Sequence, residues 1–108
     1  MSIKIGDHIF DGPLTDTREL MNDPGVFAVI VAKQDRGSLI DVGESSDVRR
    51  GVESHQSRSR WSEVATVGTL CYAVMYTPEL GPSERSEIEQ SIRAQYEKNT
   101  PRKSNYDN

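Results

Sequence analysis

From Val26 to Ala32 every residue is apolar, and most are β-branched or aromatic. So short a run favours a strand covered on both faces over a helix. Asn22, Asp23, Pro24 and Gly25 precede it as a turn signal. Lys33 to Ser38 then breaks the pattern with a polar loop short enough for a hairpin. The chain returns through Leu39, Ile40, Asp41 and Val42, which predicts a second strand antiparallel to the first. Gly43 ends that strand, and Ser45, Ser46 and Asp47 offer N-caps for a helix from about Val48 to His55. Gly51 in its middle costs ~1 kcal/mol relative to alanine.

Gln56 to Thr69 is less regular, although Trp61, Val64 and Val67 are spaced by three and permit a helical turn against the core. Leu70 to Tyr76 reads as another buried strand, ended by Pro78 or at the latest by Gly81. A final helix opens near Pro82 and Ser83, with Ile88, Ile92 and Tyr96 forming one apolar stripe at steps of four. Its opening turns carry Glu84, Glu87 and Glu89, which suits the positive end of a helix dipole. At the other end of the chain, Gly6, Asp11, Gly12 and Pro13 suggest turns, and Asp16 to Met21 a short helical turn. The expected fold class is α+β, with one small three-stranded antiparallel sheet flanked by helices.

A length of 108 residues fits one domain with a small core and excludes a separate cofactor fold. The longest apolar run is far short of the ~20 residues of a membrane helix. The polar start from Met1 to Asp7 lacks a secretory core segment. A cytoplasmic protein with no membrane partner is the expectation. Cys71 is the one cysteine, so it makes no internal disulfide and no thiolate zinc cage by itself. Its place in a buried strand suits a core filler.

The net charge of −4 argues against indiscriminate coating of nucleic acid, but the charge is unevenly spread. Residues 1 to 47 carry 9 acids and 4 bases, whereas residues 48 to 108 carry 8 acids and 9 bases. Arg49, Arg50, Arg58 and Arg60, with His55, fall inside a dozen residues opposed only by Glu53. Such a cluster can meet phosphate, and it can equally be a solvated face. Asp41 is a sharper candidate, because a charge inside an apolar strand is rarely just packed. It can point to solvent, face a cleft as a base or metal ligand, or pair with Arg50.

Several of these features together resemble the GIY-YIG nuclease superfamily. They are Pro24 to Phe27 leading into a strand, Asp41 to Val48, His55, and the late set Arg85, Glu87, Ile88, Glu89, Tyr96, Pro101 and Asn105. The resemblance spans residues 24–105, leaving residues 1–23 as an N-terminal extension and residues 106–108 as a tail. It implies hydrolysis of DNA with one divalent metal, magnesium or manganese, and no organic cofactor. Glu89 takes the place of the metal-binding glutamate and Asn105 that of the asparagine that steadies the site. Gly25 and Gly43 fall at motif glycines. The motif tyrosines fall on Phe27, which keeps the ring but not the hydroxyl, and on Asp41. The phosphate-contacting arginine falls on Gly51, with Arg50 one residue away and turned by about 100° on a helix.

Three functions follow as expectations. The first is a GIY-YIG-like DNA-binding domain whose nuclease site has lapsed or been rebuilt. The second is an active metal-dependent endonuclease, a hydrolase in which Asp41, Arg50 and Glu89 converge around one cleft. The third is a protein interaction module, favoured by the acidic balance and by the lack of aromatic residues among the arginines.

Overall fold

The computed structural model describes residues 1–34, 36–66 and 68–99. Its elements are β1 (Ser2–Ile5), β2 (His8–Leu14), a 3₁₀ turn (Thr17–Glu19), β3 (Gly25–Lys33), β4 (Arg36–Ser45), α1 (Val48–Glu53), α2 (Arg58–Val64), β5 (Thr69–Tyr76) and α3 (Pro82–Asn99). The strands form one antiparallel sheet in the order β1-β2-β5-β3-β4.

Five strands replace the expected three, because the stretch around Gly6 and Gly12 forms a hairpin rather than only turns. Gly6 sits at its turn with a φ of +63°. Ile3, Ile5 and Phe10 are apolar at alternating positions, but Gly12 and Pro13 obscure that pattern in the sequence. Gly12 lies at the register shift between β2 and β5 with a φ of +142°, and a Cβ there would meet the Tyr72 carbonyl at 2.8 Å. The β3–β4 connection is also tighter than the polar run suggested, since Lys33 already pairs with Arg36. Val67 and the tail from Thr100 onward, including Pro101, Arg102, Lys103 and Asn105, lie outside the described residues.

Strand alternation divides the core. On one face Val26, Ala28 and Ile30 of β3 join Cys71 and Ala73 of β5 under Ile92 of α3. On the other, Phe27 and Val29 join Tyr72 and Val74 beneath Val48 and Val52 of α1 and Trp61 of α2. The unbroken apolar runs in β3 and β5 are therefore the signature of a sheet covered on both sides. Trp61 is buried, but Val64 is half exposed, so only part of the spacing by three faces the core. Among the described residues no helix is long and apolar enough to cross a membrane.

Candidate functional site

β4 is an edge strand, paired only with β3. Its register steps from Val29↔Asp41 to Ile30↔Leu39, which leaves Ile40 as an extra residue and bends the strand at Asp41. The Asp41 carboxylate is about one fifth exposed. Its Oδ2 accepts the Trp61 indole N–H at 2.9 Å and its Oδ1 the backbone N–H of Val42 at 2.9 Å. From α3, Arg93 reaches the same place: its Nη2 lies 3.4 Å from Asp41 Oδ1 and 3.0 Å from Glu89 Oε2, and donates to the Val42 carbonyl.

The structure thus brings Asp41 and Glu89 together, but through a third residue. Arg93 was not singled out from the sequence, although its spacing of four from Glu89 is the signal of a helical ion pair. At this open edge both backbone polar groups of Val42 are satisfied by side chains, Asp41 on its N–H and Arg93 on its C=O. Side chains there take the role a further strand would have, which protects an edge from pairing with another chain.

Arg50 does not join this cluster. Asp47 caps α1 through the backbone N–H of Arg50 at 3.2 Å, and the exposed Arg50 guanidinium makes no hydrogen bond or ion pair among the described residues. The expected convergence of Asp41, Arg50 and Glu89 is therefore replaced by Asp41, Trp61, Arg93 and Glu89. The remaining arginines diverge as well. Arg49 pairs with Glu53 at 3.3 Å, Arg58 donates to the Glu53 carbonyl at 3.0 Å, and Arg60 is exposed with no hydrogen bond or ion pair among the described residues. Arg60 instead lines a groove of about 700 Å³ with Asp41, Ser57, Trp61 and Arg93.

His55 is half buried, with its ring 4.7 Å from that of Trp61 and 6.1 Å from that of Phe27. Its Nδ1 accepts the Ser57 N–H at 3.0 Å, which leaves Nε2 to carry the proton of the neutral ring. The ring thus packs in the connection between α1 and α2, against Trp61 and Phe27.

The motif positions have direct structural reasons. Gly43 pairs with Phe27, whose ring occupies the space a side chain would need: a Cβ on Gly43 would stand 2.5 Å from Phe27 Cζ. Gly25 opens β3 beside the Met75 carbonyl, and Gly51 packs on Ser45. The Glu44 carboxylate accepts from Arg85 Nε at 2.8 Å, and the buried guanidinium also donates to the Leu80 carbonyl at 3.0 Å. The tyrosines of β5 are structural. Tyr72 is buried in the core and the Tyr76 hydroxyl accepts the Met21 N–H at 2.7 Å. Cys71 is buried, and desolvation pushes its thiol above the ordinary range.

Magnesium or manganese fits this donor set poorly. Asp41 and Glu89 already accept from a guanidinium, and among the described residues no three His, Cys, Asp or Glu side chains gather into one cluster. The groove is lined by Arg60, by Arg93, which is already bonded to both carboxylates, and by the Trp61 indole. No family profile, no curated protein and no solved structure matches the chain.

Proposed function

We propose that this protein is a GIY-YIG-like domain that binds DNA through α1 and α2 and cleaves it slowly or not at all. The observation that carries the binding role is that Arg50, Arg58 and Arg60 stand exposed on two successive helices, none paired with a carboxylate among the described residues. Cations in that state can exchange water and counterions for phosphate without breaking an internal ion pair. The location of Arg93 supports weak or absent cutting. A water-activating carboxylate must be free to take a proton or hold a metal, and here both carboxylates are bound to one guanidinium. The resemblance is supported by the order of elements, since β4, β3 and β5 lie side by side with α1 and α2 entering before the third of them.

The test is binding to labelled single-stranded, duplex and branched DNA between about 50 and 200 mM salt, where phosphate contacts lose most of their strength. Replacing Arg50, Arg58 and Arg60 with alanine should weaken binding and flatten the salt slope by about two to three units, near one per contact. Adding magnesium or manganese then separates the alternatives. Cutting that vanishes in Glu89→Gln would replace this reading with an active endonuclease, whereas no salt-sensitive binding to any DNA would move the search to protein partners.

A further inference from the structure

β1 and β4 are the two edges of the described sheet, and they are finished differently. On β4 the Asp41 and Arg93 side chains occupy the backbone polar groups of Val42. On β1 the Gly12 N–H donates to the Met1 carbonyl at 3.2 Å, so by alternation Met1, Ile3 and Ile5 turn their backbone polar groups towards β2. Ser2 and Lys4 therefore turn theirs outward, where no described strand lies, and both residues are exposed. The side chains alternate as well. Ile3 and Ile5 belong to the core face under α3, whereas Ser2 and Lys4 share the opposite face with Asp11 and Ile9 of β2. Lys4 and Asp11 are exposed, and neither forms an ion pair among the described residues.

We propose that β1 pairs antiparallel with β1 of a second copy of this chain, joining the two sheets about a twofold axis at Ile3. Only Ser2 and Lys4 offer bonds across that edge, so few registers exist. Setting Ser2 opposite Lys4 of the second copy uses every outward N–H and C=O of both residues in both copies. Setting Ser2 opposite Ser2, or Lys4 opposite Lys4, uses half of them, and the latter puts two like charges face to face. The fuller register also matches charge. Lys4 of the second copy then stands on one side of Ser2 and Asp11 on the other, two strand spacings or about 9.6 Å apart. A lysine side chain lying over the small serine reaches that carboxylate, and the symmetry supplies the contact twice. A lysine on an edge strand ordinarily discourages pairing, but here the second copy carries its counter-charge in place. An unrelated peptide would match the backbone bonds without the charge pattern. Because β4 is closed at Val42, pairing stops at two copies instead of running on as a filament. This interface is separate from the arginine surface of α1 and α2, so its failure leaves the DNA reading standing.

The experiment is sedimentation of the whole protein from about 10 µM to about 1 mM, where an interface this small should give a monomer–dimer equilibrium with a Kd on the order of 0.1 mM. In a mixture of carbon-labelled and unlabelled protein, NMR should show the Ile3 Hα of one copy against that of the other, the close approach of a pair without backbone bonds between them. Lys4→Pro removes an outward N–H while sparing the bonds to β2, and should abolish the dimer with the monomer still folded. Lys4→Glu and Asp11→Lys should each raise the Kd about tenfold, and the two together, which exchange the charges, should bring it back to within about threefold of the original. A protein that stays monomeric at about 1 mM overturns the proposal. So does a dimer that Lys4→Pro leaves intact, or one that the exchanged charges fail to restore.

Discussion

The Trp61 indole N–H donates to Asp41 Oδ2 at 2.9 Å, across a separation of 20 residues. One residue comes from the bulge of an edge strand and the other from a short helix that would be marginal alone. The bond gives a polar end to a side chain otherwise buried in the core. Asp41 in turn holds Arg93 over the sheet edge, so α2, β4 and α3 meet at one carboxylate.

Asp41→Ala should destabilise the fold by about 2 kcal/mol, because it removes a charged acceptor and leaves the indole N–H without its partner. Trp61→Phe should cost about 2–3 kcal/mol through lost packing and the same bond. The double-mutant cycle in urea should give a coupling of about 1 kcal/mol, and strict additivity would refute the bond. Arg93→Ala should open the Val42 edge as well. Its expected sign is concentration-dependent self-association seen by light scattering, with the monomer's secondary structure intact.

Gly43→Ala should destabilise by about 2–3 kcal/mol, because the new methyl group must displace the Phe27 ring from its place across the strand pair. Phe27→Leu in the same background should recover part of that loss by making room. A melting temperature unchanged by Gly43→Ala alone would show that the ring does not occupy that space.

Acid should loosen the 3₁₀ turn before the rest of the fold. Asp16 caps that turn, and its bonds to the Arg18 side chain and backbone hold its carboxyl at about 2 rather than the ordinary 3.8. Glu53, which accepts the Thr17 hydroxyl at 2.8 Å, is also held below its ordinary range, first by that bond and then by Arg49. Each folded pKa lies below the unfolded one. Both contributions are therefore fully present above the ordinary carboxylate range and are lost as pH falls, for Asp16 between about 4 and 2. Amide exchange at Arg18 to Leu20, corrected for its intrinsic rate, should rise in that window, and Asp16→Asn should remove the Asp16 part of the response. An Asp16 carbon resonance titrating at the ordinary value would contradict the capping bond.

Much of the inner sheet could be read directly from the residues. The runs Val26 to Ala32 and Leu70 to Tyr76 are apolar without interruption, and only a strand covered on both faces accommodates them at that length. Asp47 as a helix cap was equally legible, because its side chain acts on an amide three residues away. Such features depend on local chemistry. The N-terminal hairpin escaped because Gly12 and Pro13 carry a turn composition, and only the pairing of the flanking Asp11 and Leu14 with β5 draws them into a strand.

The candidate site divides in the same way. The sequence alone marked Asp41 as out of place in an apolar strand and located the arginines of α1 and α2. It could not say that Asp41 would meet Trp61 and Arg93 rather than Arg50. That outcome depends on the extra residue at Ile40, on the edge position of β4 and on which face α3 covers. Composition and periodicity report what each segment needs from its surroundings; which distant side chain satisfies the need is decided when the layers pack.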